Sequence, residues 1–237
     1  SLGPNEFFYF IRQIEAVRDR AMDDKTVVIH LYPCVPPEHD ARITAFSKFI
    51  NVLNSLQLAF TFIAMHLLHK QWWDAISLNP ISDRDKEIYA GEFISFVKIA
   101  FVHAMFSAIE SSLRLFLRAL DATACKGGTA PFESIYKCLF ARLNKPPSEG
   151  RELLDLLRLV RNTIHHNGVY MDPNGRDKKV AWQGQVFEFR HETPIDFVTW
   201  ELLIRVSDSL RRLLREIVED AELRKIRTAI DDPFSYC

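Results

Sequence analysis

Cysteine is scarce in this chain: Cys34, Cys125, Cys138 and Cys237 are scattered and form no CxxC pair. That excludes a disulfide framework of the small secreted kind, and four free thiols in a reducing, cytoplasmic setting are expected. An excess of charge of one sign is also missing, with 30 Lys and Arg against 31 Asp and Glu. A globally basic nucleic-acid coat is therefore excluded, while a local basic patch is not. No uninterrupted hydrophobic run of membrane-spanning length occurs. The most apolar stretch, Phe46 to Leu68, carries Lys48, Asn51, Asn54, Ser55 and Gln57, and this predicts a buried core helix and no membrane partner. Asn5, Glu6, Arg12 and Glu15 break up the first residues, so no signal peptide is expected there. A phosphate-binding Gly loop, HExxH and GxSxG are all absent, which disfavours a P-loop enzyme, a zincin and a serine hydrolase. No metal or cofactor is expected, and there is no internal repeat or low-complexity tract.

What is present is apolar bulk. Hydrophobic residues make up 48% of the chain and 18 are Phe, enough to bury a sizeable core, and a disordered chain is not expected. Helical periodicity dominates. A first helix is expected over about 6–22, with Phe7, Phe10, Ile11, Ile14 and Val17 on one face. Val27 to Ile29 read as a short strand within about 26–31, before Pro33, Pro36 and Pro37 impose a loop. Further helices are expected over about 40–76, with Ser82 or Asp83 capping the next at about 84–120, then over 132–143 and 149–166. Ser148 is the expected cap of the last of these and Asn167-Gly168 its left-handed stop. Lys179 to Trp182, Gln183-Gly184 and Gln185 to Phe189 read as a hairpin at about 178–190. Pro194 is expected to open a final long helix to about Glu219, with a helical tail to Ile230. The fold class is therefore all-α, a helical bundle with one small β-hairpin inserted beside the 149–166 helix.

That helix carries the sharpest functional signal. At 100° per residue Leu153, Leu157, Val160 and Ile164 fall within about 60° of one another and form the core stripe. Arg158, Arg161, Asn162, His165 and His166 lie off it, gathered just before the Gly turn. A helix C-terminus favours imidazolium, so histidines here are expected to hold their protons somewhat better. On a regular helix His165 is only about 40° from Arg161, whereas His166 is about 140° away. Either histidine is thus a candidate partner: His165 by geometry if the helix is regular, His166 if the helix loosens or two copies cooperate. Capping and solvation of a helix end is the plainer use of such residues.

Arg161-Asn162-x-x-x-His166 resembles the RNxxxH form of the Rx4–6H motif of the HEPN superfamily. The leucine-rich helix before it fits the family context. Phe106-Ser107-Ala108-Ile109-Glu110-Ser111-Ser112-Leu113-Arg114 likewise resembles the helix that commonly precedes the motif. The likeness spans about residues 85–220. It implies a four-helix-bundle core over 83–237, with residues 1–82 as an N-terminal helical extension packed on it. It also implies a metal-independent endoribonuclease of a toxin–antitoxin, antiviral or RNA-processing system. Such proteins act as homodimers whose two motifs meet across the interface, and for this chain the expected partners are single-stranded or looped RNA, a second copy, and an antitoxin or regulatory protein. On that resemblance His166 performs acid–base work with His165 in reserve, Arg161 holds the scissile phosphate, and Asn162 orients its neighbours. Glu110 is a candidate partner of Arg161. The alternative within the same fold is a silent module that binds a nucleotide or a protein.

Other residues carry weaker signals. Arg158, Arg176, Lys178 and Lys179 are placed to steer RNA phosphates toward the motif. Trp72, Trp73 and Trp182 suit base stacking, although packing is the commoner use. Glu188-x-x-His191 has di-iron spacing but falls in the expected hairpin without a second pair. His66 and His69 are expected to be partly buried core histidines, and His103 a satisfied core residue. The basic stretch from Arg205 to Arg227 is interleaved with acids and reads as a solvated face.

Overall fold

The computed structural model describes residues 3–77 and 79–233. Helix accounts for 67% of the chain, as the periodicity requires. Helix α1 (Pro4–Leu31) starts where the Gly3 amide donates to the Glu6 carboxylate at 2.7 Å. It does not end at Met22. Val27, Val28 and Ile29 stay helical, because the buried stripe Phe7, Phe10, Ile14, Val17, Ala21 continues through Asp24 to Val28. Asp24 binds Arg211 and Arg215 of the last long helix, so tertiary contacts override the β-branched preference for a strand.

Helix α2 (Ala41–Phe62) is capped by Asp40, which accepts from the Arg42 amide at 2.9 Å. It passes into a π-turn (Ile63–Leu67), and the chain then breaks before α3 (Lys70–Ile76). The single helix expected over 40–76 is thus three pieces. Side chains take the carbonyls that the break leaves open: His69 Nε2 lies 2.9 Å from the Ala64 oxygen, and Trp73 Nε1 donates to the Leu67 oxygen at 2.8 Å. His66 and His69 are exposed rather than buried, His66 against Phe62 and Trp72. Trp72 and Trp73 are half-buried, against Phe62 and Tyr89 respectively.

Helix α4 (Asp83–Leu120) is capped by Ser82. A left-handed turn at Cys125, Lys126, Gly127 and Gly128 then leads to α5 (Phe132–Phe140). Cys125 and Cys138 are joined as a disulfide, which corrects the expectation of free thiols at both; Cys34 is free and exposed, and Cys237 lies outside the described residues. The turn folds Cys125 back onto α5, an approach that linear spacing does not reveal. The bridge closes a loop with a sequence separation of 13. Chain-entropy arguments make such a loop worth about 3 kcal/mol. Cys138→Ser should therefore lower the denaturation midpoint under oxidising conditions and leave it unchanged in reductant. Equal midpoints in oxidising buffer would count against a contribution from the bridge.

Helix α6 (Gly150–His165) carries the motif. Ser148 is not its cap. A turn with Gly150 N donating to the Pro147 oxygen at 3.3 Å holds Ser148, and Glu149 takes the cap position. A side chain at Gly150 would meet the Phe140 ring at 2.9 Å. At the other end the expected stop is present: Asn167 (φ 55) and Gly168 (φ 84) are left-handed, and their amides donate to the Ile164 and Thr163 oxygens at 3.1 and 3.0 Å.

Strands β2 (Lys178–Trp182) and β3 (Gln185–Phe189) form the expected antiparallel hairpin, Val180 opposite Phe187, across a Gln183-Gly184 turn with positive φ at both residues. Their inward Val180, Trp182, Phe187 and Phe189 are buried. A two-residue pairing of β1 (Val169–Tyr170) with β4 (Thr193–Pro194) is too short to leave a periodic trace. Pro194 therefore belongs to a strand and does not open a helix. Phe197 packs on Phe187 and Phe189, holding residues 195–199 out of helix, and α7 (Trp200–Glu219) begins at its Thr199 cap. Helix α8 (Ala221–Lys225) is shorter than the expected tail to Ile230. The tail's backbone groups bond to Asp40 and Arg42 at the start of α2.

Helices α1, α2, α4, α5, α6 and α7 pack around one hydrophobic cluster that runs from Phe7 to Ile230. Two helical stretches, Ala41–Leu67 and Asp83–Leu120, are long and apolar enough by length and composition to cross a membrane. Each buries one face here, α2 through Phe46, Phe49, Leu53, Leu56 and Phe60.

Candidate functional site

Helix α6 remains regular through His165, and this decides how the motif is presented. Its buried face, from Leu153 to Val160 and Thr163, is committed to the core. Arg161, on the other side, rests its guanidinium over the Phe106 ring of α4 at 5.0 Å. One of its terminal nitrogens donates to Asn162 Oδ1 at 3.2 Å, the contact expected of an orienting neighbour. Arg161 Nε is buried and has no hydrogen-bond partner among the described residues. Among the described residues no carboxylate is paired with this arginine, and Glu110 pairs instead with Arg114, at 2.6 Å, one turn along its own helix.

His165 closes α6, and its ring meets that of His103 from α4 edge to face, with centroids 4.4 Å apart. His103 is half-exposed, not the core residue that its apolar neighbours imply. The face explains the difference. Phe101, Val102, Met105 and Phe106 are buried, while Ala100, Ala104 and Ser107 are exposed beside His103. The small and polar residues at helical spacing were a readable sign of an open face, but nothing in the sequence placed that face against His165.

His166 stands just beyond the helix (φ −105, ψ 38), exposed, its amide donating to the Thr163 oxygen at 3.0 Å. Arg161, His165 and His103 therefore form one cluster from two helices, and His166 sits at its rim. Loss of solvent around the ring lowers the proton affinity of His103, with the Arg161 charge acting in the same direction. His165 is lowered for the same two reasons, followed by His103 and His166. The helix C-terminus, which alone would favour the imidazolium, is outweighed.

The remaining candidates lie outside this cluster or are already paired. Arg158 binds Asp155 at 2.8 Å and Glu133 at 3.1 Å. Tyr136 donates to the same Asp155. Lys178 lies 3.3 Å from Asp172, and Lys179 is 2.5 Å from Glu188. Both lysines remain partly or largely exposed. Glu188 also holds Arg190, while His191 Nδ1 accepts from the Asp172 amide at 3.1 Å, so the two halves of that spacing motif have separate partners. Among the described residues no cluster of three or more His, Cys, Asp or Glu is arranged to hold a metal. Trp182 is packed in the core, with Arg205 over its ring.

The chain matches no family model, no curated protein and no solved structure in the comparisons made. Functional inference therefore rests on the site itself. A buried-edge arginine with an unused donor beside two imidazoles of low proton affinity can bind an anionic oxygen and accept a proton next to it.

Proposed function

We propose that this chain is a HEPN-like, metal-independent endoribonuclease with a four-helix-bundle core, acting as a homodimer on single-stranded or looped RNA. The observation that carries the reading is the meeting of Arg161, His165 and His103 at the end of a regular helix. Arg161 binds the scissile phosphate and offsets its developing charge. Neutral His165 takes the proton from the ribose 2′-hydroxyl, and the 2′-oxygen bonds to phosphorus. The bond from phosphorus to the 5′-oxygen breaks, and that oxygen leaves with a proton from His166. One proton is taken and one is returned. Asn162 steadies the guanidinium, and Lys178, Lys179 and Arg176 steer the RNA backbone. The exposed apolar Phe96 and Ile99, on the same helix as His103, suit the dimer contact. A toxin–antitoxin, antiviral or RNA-processing role, with an antitoxin or regulatory partner, follows the same resemblance.

The test is incubation of the protein with unstructured RNA in excess EDTA. Cleavage should persist, leave a 2′,3′-cyclic phosphate and a 5′-hydroxyl, and spare DNA of the same sequence, which lacks the attacking oxygen. Light scattering on the same sample should give a dimer at micromolar concentration. Cleavage that requires Mg²⁺, or that yields 5′-phosphate ends, would falsify the mechanism. No cleavage of any RNA would favour a silent module that uses Arg161 to bind a nucleotide or a protein partner, and a cleaving monomer would remove the homodimer alone.

A further inference from the structure

We infer that His103, which lies outside the motif helix, is a positioning residue: its ring braces His165 beside Arg161, so that His165 rather than His166 accepts the proton. This rests on the ribonuclease reading for its chemistry, but the brace itself can be measured without any RNA.

The geometry has three parts. The His103 and His165 rings are in edge-to-face contact, at a centroid distance of 4.4 Å and an interplanar angle of 67°. A ring so placed has lost part of its rotational freedom, although His165, like His166 just past the last helical residue, is exposed. Arg161 is held from below by Phe106, also on α4 and one helical turn from His103. Helix α4 thus supports both the arginine and the histidine, which fixes their separation in a way that α6 alone does not.

The brace also has an electrostatic consequence. The titratable and charged groups acting on His165 are Arg161 and His166 from its own segment and His103 from α4. All three oppose its protonation, as does the loss of solvent to which the facing ring contributes. A base must be unprotonated to accept a proton, and the contact that orients His165 also acts against its protonation, after loss of solvent and Arg161. Because the two imidazoles touch, protonation of His103 disfavours protonation of His165.

The experiment is an NMR titration of the His165 ring in the wild-type chain, His103→Ala and His103→Phe, with RNA cleavage profiles on the same three proteins. In His103→Ala the His165 midpoint should rise toward the ordinary histidine value of about 6.5. The acid limb of kcat should move to higher pH with it. At neutral pH kcat should fall roughly ten- to a hundredfold with KM little changed, the range expected when a reacting group is misplaced by about 1 Å. His103→Phe keeps a ring in contact, so it should preserve more of kcat than alanine does, and it serves where alanine compromises folding. An unchanged His165 midpoint in both variants overturns the inference, as does a loss of activity through KM alone. A midpoint that moves in a protein that cleaves no RNA keeps the brace and overturns the ribonuclease reading.

Discussion

Replacement of Arg42 by alanine should destabilise the protein by about 3–5 kcal/mol, the usual cost of removing one partner of a buried ion pair. Arg42 is fully buried and forks onto Asp40, with Nε 2.8 Å from one carboxylate oxygen and a terminal nitrogen 2.6 Å from the other. Its remaining donors reach the Ile226 and Thr228 oxygens at 2.8 Å each, and its guanidinium stacks on Tyr32 at 3.9 Å. Tyr32 in turn donates to the Val218 oxygen at 2.6 Å. Truncation leaves Asp40 as an uncompensated buried charge and strips the partners from carbonyls of the C-terminal segment. The tail should then come away from α2. In denaturant the midpoint should drop with little change in slope, and added salt should not reproduce the effect, since the pair is shielded from solvent. Lysine, a point charge without the fork, should recover only part of the loss. A change below about 1 kcal/mol would show that the segment 220–232 is held by its apolar contacts instead.

That clasp illustrates what a sequence can and cannot disclose. Ser82 was legible as one of two candidate helix caps because capping is local: a side-chain oxygen two or three residues before free amides. Asn167-Gly168 was legible as a stop for the same reason, and so was the Gln183-Gly184 hairpin. Val27 to Ile29 were misread because their helical state depends on Asp24 meeting Arg211 and Arg215, which lie on the last long helix. Pro194 was misread because residue pairing with Val169 and the packing of Phe197 decide its conformation. The Cys125–Cys138 bridge needed a run of left-handed residues, two of them not glycine, that no propensity anticipates.

The site divides along the same line. Which histidine lies beside Arg161 within one copy turns on helix regularity, and α6 is regular through His165, while cooperation of Arg161 with His166 across two copies is a separate arrangement. Arg161 with Asn162 was likewise readable, being a contact between neighbours. Glu110 was misassigned, since Arg114 one turn away on the same helix competes for it with less loss of chain freedom. His103 was hidden. Its place beside His165 comes from the packing of α4 against α6, and counting its apolar neighbours obscured the exposed side of the helix.

Arg161→Ala should lower kcat/KM for RNA cleavage by about 10²–10³, the scale on which loss of one preorganised donor to a developing oxyanion is felt. The fold should tolerate the change. Among the described residues the side chain makes one hydrogen bond, to adjacent Asn162, and a contact over Phe106 of a kind worth between about 0.5 and 2 kcal/mol as it passes from exposed to desolvated sites. The melting temperature should therefore move little while activity collapses. Arg158 provides the contrast three residues earlier. Its guanidinium is engaged by Asp155 and Glu133, so Arg158→Ala should act on stability more than on catalysis. Arg161→Lys separates two roles of the native residue. It keeps a positive charge near His165 but not the planar fork, so His165 should still titrate low while phosphate binding weakens. In Arg161→Ala the His165 midpoint should rise, since a charge that opposes its protonation has gone. Rates within threefold of wild type in both variants, with the His165 titration unmoved, would remove Arg161 from the mechanism and leave it as the polar end of a packed helix.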